Sequence, residues 1–179
     1  MRHNDVPAET GRRVRTLAIR DATTADLPAV IALTLAAYEQ YAEVISASWW
    51  EGYRENVVQT LTEEAPARCV AAALGDELLG SVLYYPGAAL RSGLPAIRLL
   101  AVTPEARGRG IATALMAEVI RRAHLEGADA LELHTMAVMD VARRMYERMG
   151  FVRAPEMDFS PLADIQVLGY RLDLRSGSS

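Results

Sequence analysis

The chain has a single cysteine, Cys69, which excludes an internal disulfide and a cysteine-rich metal site. Cys69 stands in the apolar run CVAAAL, where an inert, buried thiol is the expected state. No run of ~20 apolar residues is present to span a membrane. Charge of either sign is in little excess. A net charge of −4 over 179 residues gives no reason to expect nucleic acid or an anionic membrane as partner. The first residues, MRHNDVPAETGRRVR, lack the apolar core of a secretory signal, so a cytoplasmic location is expected. No internal repeat or internal linker divides the chain. What is present is a 51% hydrophobic composition, enough for one well-cored domain at this length and too short a chain for two ordinary ones.

Residues 1–15 are polar, carry Pro7 and Gly11, and end in Arg12, Arg13 and Arg15. They read as a flexible tail ahead of one domain over residues 16–175. Thr16–Arg20 reads as a strand. Asp26 is a cap candidate for a helix with Leu27, Val30, Ile31, Leu35 and Tyr38 at helical spacing. Ser48–Leu61 reads as a second helix, and Arg68–Leu74 with Leu78–Tyr85 as a hairpin. Pro95–Val102 is a strand, and Ile111–His124 is a helix with Ile111, Leu115, Val119, Ile120 and Ala123 on one face. Ala130–Met136 is a strand. Asp140 caps a helix running through Met149, and FVRAP and VLGYRLDL are closing strands. This order predicts a mixed α/β sheet with helices on both faces.

The segment VTPEARGRGIATAL joins a strand to a helix. Pro104 stops the strand because it has no N–H to give. Gly108 and Gly110 permit backbone conformations closed to residues with a Cβ, and such a loop turns successive N–H groups inward as an anion nest. The helix from Ile111 adds unpaired N–H groups and its positive dipole end. Arg107 and Arg109 carry donors that suit phosphate. A glycine-rich turn with solvated arginines is the plainer alternative. A P-loop is excluded because no Gly-Lys-Ser/Thr follows, and a dinucleotide fingerprint would need a glycine where Thr113 stands.

Arg107-x-x-Gly110-x-Ala112 after Leu100-Ala101-Val102 resembles the GNAT superfamily of acetyl-CoA-dependent N-acetyltransferases. A second match lies in DVARRMYERMGFVR, where Ala142, Tyr146, Gly150 and Phe151 fall at the family's positions. The two motifs are correctly ordered and spaced, and the order of elements fits nearly the whole chain. The resemblance implies a mostly antiparallel sheet splayed between the fourth and fifth strands. It implies acetyl-CoA as co-substrate, with no metal. Its pyrophosphate would lie on the amides of residues 107–113 (Arg107, Gly108, Arg109, Gly110, Ile111, Ala112 and Thr113). Backbone groups of Leu100, Ala101 and Val102 would meet pantetheine. The family often has an asparagine seven residues before the tyrosine. Here that residue is Met139, which has only its backbone to offer. Arg143, one turn before Tyr146, is a further cofactor candidate or a solvated arginine. Dimers are common in the family, and no interface is identifiable here.

Acetyl transfer requires a neutral amine and a proton for the departing thiolate. By resemblance Tyr146 sits beside the sulfur and is the general acid. In LELHT, Glu132 and His134 alternate onto one strand face. Either is a base facing a cleft, or His134 is a hydrogen-bonded core histidine and Glu132 an arginine's partner. Arg98 interrupts the apolar run AIRLLAV, as a ligand for a substrate carboxylate or as half of a structural ion pair. In the family the acceptor site is built largely from the first two helices, here Tyr38, Glu39, Glu43, Trp49, Trp50 and Tyr53. These carboxylates would suit a cationic amine, whereas the aromatics could simply be core. The expected activity is N-acetyl transfer to a primary amine by direct attack in a ternary complex. A non-catalytic acyl-CoA sensor and a transferase of longer acyl groups are the alternatives.

Overall fold

The computed structural model describes residues 16–63, 67–163 and 165–175. The sequence-predicted tail, residues 1–15, lies outside the described residues. Eight strands form one mixed sheet: β1 (Leu17–Asp21), β2 (Arg68–Leu74), β3 (Glu77–Tyr85), β4 (Ala96–Val102), β5 (Ala130–Met136), β6 (Val152–Arg153), β7 (Phe159–Leu162) and β8 (Ile165–Asp173). The spatial order is β1-β2-β3-β4-β5-β8-β6, with β7 also pairing with β8. Every pair is antiparallel except β4 with β5. Four helices flank it: α1 (Leu27–Tyr38), α2 (Ala47–Glu63), α3 (Ile111–Leu125) and α4 (Asp140–Arg148). Among the described residues no helix is long and apolar enough to cross a membrane.

The α3 side of the sheet carries the main core. Ile111, Leu115, Met116, Val119 and Ala123 recur at three- and four-residue spacing, and all are buried against Val70, Val82, Ile97 and Leu133. The helix can approach this closely because β3 presents a bare backbone at Gly80. A Cβ there would lie 2.8 Å from the Ala101 carbonyl oxygen and 3.1 Å from Ile111 Cγ2. On the opposite face α1 packs Leu33 and Ala37 on Ala101 of β4. Cys69 is half-buried, and burial pushes its thiol up to about 11, away from the reactive thiolate.

Of the two expected caps, Asp26 stands at the cap position of α1 without a side-chain cap bond, and Asp140 does not cap α4. The residue ahead of α4 is Met139, so Asp140 is the first helical residue rather than the cap. Its carboxylate pairs with Arg143 one turn on, at 3.2 Å. The Asp26 side chain turns back rather than forward. It accepts from the Thr23 N–H at 2.7 Å and from the Thr23 hydroxyl at 2.8 Å, and it pairs with Arg20 at 2.7 Å. Strand β7, absent from the sequence reading, is a short edge strand whose four residues are exposed and include Pro161.

Candidate active site

The site begins where β4 and β5 separate. Their ladder holds only Ala96 with Glu132 and Ile97 with Leu133, whereas β5 stays paired to β8 along its whole length. Beyond Ile97, β4 leaves its parallel neighbour. A bulge on its other side accompanies the turn away. Ser81 pairs with Ala101 and Leu83 with Arg98, so Leu99 and Leu100 together oppose Val82. Leu99 has φ of 52°, the one positive value among the described non-glycine residues. The Leu100 carbonyl accepts the Tyr38 hydroxyl at 3.1 Å.

At the far end of β4 the chain makes a short turn over Pro104–Ala106 and enters the Arg-Gly run. Gly108 and Gly110 have φ of 73° and 78°, where a Cβ would be strained, and open space surrounds both. Gly110 caps α3. The Ala114 N–H donates to the Gly110 carbonyl at 2.9 Å, so the N–H groups of Ile111, Ala112 and Thr113 have no helical acceptor. The result is a positive helix end beneath a loop with room above it. This arrangement fits a phosphate.

The opening and the loop join in one cavity of about 1240 Å³. Its wall includes Leu100, Ala101, Val102, Arg107, Gly108, Gly110, Ile111, Ala112, Thr113, Met139 and Tyr146 of the predicted set, together with Tyr38, Arg98 and His134. Tyr146 is 6% exposed, between Phe151 and Tyr170 at ring distances of 5.8 and 6.4 Å. Burial holds its phenol well above the usual tyrosine range, and the neighbouring phenols Tyr41 and Tyr53 add to this. The phenol therefore stays protonated and able to donate at neutral pH. His134 and the Met157 carbonyl lie 3.1 Å apart at Nε2. A carbonyl only accepts, so Nε2 carries the proton and Nδ1 of the neutral ring holds the lone pair. Phe159 packs on the same ring edge-on at 5.5 Å.

Several predicted residues are not brought to the cavity wall. Glu132 is buried, and its Oε1 accepts from Arg171 Nη2 at 2.8 Å and Nε at 3.0 Å across the β5–β8 ladder. Arg143 donates to the Ala137 carbonyl at 2.6 Å and closes the turn before α4. Arg109 and Glu39 are exposed and off the wall. Arg107 lines the cavity, but its guanidinium donates to the Ala37 carbonyl at 3.1 Å and Gln40 at 3.3 Å, at the negative end of α1. The backbone of Met139 is engaged as well: its N–H donates to Met136 and its carbonyl accepts from Arg143, each at 3.0 Å.

Much of the remaining wall is aromatic. Trp49 stacks on Tyr53 at 5.0 Å, and Tyr38 lies 5.8 Å from Tyr53 and 6.2 Å from Tyr41. Trp50 belongs to the outer groove of α2 instead. Met136, Thr135, Asn56, Phe159 and Leu162 are among the further wall residues that the sequence does not single out. Met136 and Thr135 were legible as the continuation of the His134 strand. Phe159 and Leu162 had no such signal, because Pro161 obscures their strand. Among the described residues no group of three or more His, Cys, Asp or Glu side chains is placed to hold a metal ion.

A family model described as the acetyltransferase (GNAT) family matches residues 30–151. The chain belongs to that family. It is an acyltransferase, of a family that uses acetyl-CoA. Solved structures share the fold. A GNAT-family acetyltransferase from Staphylococcus aureus superposes with a TM-score of 0.67 at 17% identity, covering 89% of this chain and 99% of that one. The PaiA N-acetyltransferase of Thermoplasma acidophilum, solved in complex with coenzyme A, gives 0.67 at 15% identity over 86% and 98%. A ribosomal-protein-alanine N-acetyltransferase from Brucella melitensis gives 0.60 at 20% over 87% and 99%. No curated protein sequence matches the chain.

Proposed function

We propose that this acyltransferase moves the acetyl group of acetyl-CoA to a primary amine by direct attack, with both substrates bound at once. The observation that carries the reading is the single cavity joining the positive end of α3, the freed edge of β4 and the Tyr146 phenol. Acetyl-CoA supplies the acetyl group as a thioester, and coenzyme A departs as the free thiol once its sulfur is protonated.

The N–H groups of Ile111, Ala112 and Thr113 hold the pyrophosphate, aided by the room above Gly108 and Gly110. Leu100 to Val102 have left the β5 ladder, so backbone groups on that side are available to the amide-bearing pantetheine arm, except that the Leu100 carbonyl already accepts the Tyr38 hydroxyl. Tyr146 gives its proton to the departing sulfur. His134 Nδ1 takes a proton from the amine, directly or through water, while the Met157 carbonyl fixes the ring. The aromatic wall excludes water and holds the body of the acceptor.

The test is release of free thiol from acetyl-CoA in the presence of an amine library, with product masses confirming an added acetyl group. Binding of acetyl-CoA without transfer to any amine would instead support a sensor.

A further inference from the structure

We propose that the acceptor is an amino carboxylate with a large apolar side chain, an aromatic α-amino acid being the simplest case, and that Arg98 binds its carboxylate. This rests on the transferase reading above and narrows it to a substrate class.

The charge of the described wall disfavours the cationic acceptor suggested by Glu39 and Glu43. Among the described residues no aspartate or glutamate lines the cavity. Its charged side chains there are Arg98, Arg107 and Arg148. A polyamine or an aminosugar would bring further positive charge into a partly desolvated site whose described lining offers arginines and no carboxylate, which is unfavourable. An anion beside the amine has the opposite fate.

The strand register sets where that anion sits. Ile97 and Leu133 are the last residues paired between β4 and β5, and both face the α3 core. The next residue on each strand, Arg98 and His134, therefore faces the opposite side, where α1 packs. Neighbouring strands lie ~4.8 Å apart, so these two side chains start side by side at the mouth of the splay. An α-amino acid carries its amine and carboxylate on one carbon, which matches an Arg beside a His. The charge of Arg98 is felt among the aromatics: it opposes the burial-driven rise of the Tyr38 and Tyr53 phenols. A guanidinium has five N–H donors, so a substrate carboxylate shares Arg98 with the contact it already makes.

The apolar side chain has a place as well. Trp49, Tyr53, Met136 and Phe159 all line the cavity, with Trp49 packed against the cluster that holds Met136, and Phe159 against His134. Phe159 and Leu162 remain 52% and 46% exposed at its rim. Such apolar area is favourable to cover with a ligand's ring.

Three acceptors decide the matter with the full chain and acetyl-CoA, followed by thiol release. They are L-phenylalanine, L-phenylalanine amide and spermidine. The amide keeps the ring and the amine and loses only the anion. Its amine is also less basic, so more of it is free base, and any preference for the acid runs against basicity. Phenylalanine is expected to exceed the amide in kcat/KM by about tenfold or more, from a charge-assisted hydrogen bond, with spermidine the poorest. Arg98→Gln should shrink that ratio towards one, and Arg98→Lys should restore part of it. Preference for the amide or spermidine, or an unchanged ratio in Arg98→Gln, would overturn the assignment while leaving amine transfer intact. Should Arg98→Gln fold poorly, the wild-type ratio alone decides. Silence with all three acceptors, when other amines in the library react, overturns the assignment alone. Silence with every amine, when acetyl-CoA still binds by calorimetry, overturns the transferase reading and this inference with it.

Discussion

Replacing Tyr146 by phenylalanine removes one oxygen from a ring that is 6% exposed. The ring contacts to Phe151 and Tyr170 are retained. Among the described residues the hydroxyl makes no hydrogen bond to the protein, so its loss leaves no buried partner stranded. Stability should change by less than about 1 kcal/mol, or ~2–4 °C in Tm for a chain of this size. The rate is a different matter. A positioned general acid is worth about 10²–10⁴. Burial has moved this phenol up, away from the ~8.5 of an ordinary thiol, so proton donation to sulfur is less favourable than from a free tyrosine. The same burial disfavours the thiolate and narrows that gap. The low end of the range is therefore expected: about 10² in rate, or ~2.7 kcal/mol of barrier.

The assay is single-turnover acetyl transfer to a confirmed amine, with a calorimetric titration of acetyl-CoA alongside. Affinity should stay within about threefold while the rate falls about a hundredfold. An unchanged single-turnover rate would refute the reasoning and assign the proton to water. A large loss of affinity with the rate at saturation preserved would make Tyr146 a positioning residue. The raised phenol also fixes a sign in the wild type. The acid form persists to higher pH than in free tyrosine, so no loss of rate from this group should be seen below about pH 10.

The loop and the ion pairs give three further expectations. Gly110→Asp should abolish measurable acetyl-CoA binding by calorimetry while circular dichroism shows the helices retained, because it sets a strained, negative residue at the anion end of α3. Glu132→Gln should lower Tm by ~2–4 °C through the weakened Arg171 contact and leave the pH profile of kcat/KM in place; a displaced profile would return Glu132 to the chemistry. Hydrogen bonds from Arg121, then Arg122, hold the Glu118 carboxyl at about 2, below its ordinary 4.5. Its contribution is thus present above pH 4.5 and lost as pH falls towards about 2. Thermal melts across that window should be flatter for Glu118→Gln than for the wild type.

The parts of the site legible in sequence were those fixed by local chemistry. Two glycines in a short run before an amphipathic helix admit few structures, and both have the positive φ that their loop requires. The alternation that put Glu132 and His134 on one face also held. What separated them was the β5–β8 register, which sets Arg171 opposite Glu132 and Gly169 opposite His134. Register between strands 39 residues apart leaves no local trace. Arg107 illustrates the same limit, since its partners Ala37 and Gln40 lie about 70 residues earlier, at the end of another helix. The bulge at Leu99 was equally hidden, because a leucine at positive φ contradicts its own preference and is held there by the sheet around it.

That bulge and the single parallel pair together explain why the site lies where it does. Parallel neighbours require a crossover, and α3 is the crossover from β4 to β5. The crossover leaves β4 at its carboxyl end, so the N-terminus of α3 must begin there. β5 runs in the same direction, so α4 also starts at that end of the sheet, bringing Tyr146 within two turns of Asp140. Both helix starts thus converge on one edge, and a continuous ladder between β4 and β5 would fill the space between them. The one extra residue of β4, where Leu99 and Leu100 together oppose Val82, bends it away and leaves the space open. A positive helix end, a strand with backbone unpaired towards β5 and a buried phenol are then neighbours by topology alone. The side chains next to that space, Arg98 and His134 first, are the ones on which the proposed choice of acceptor rests.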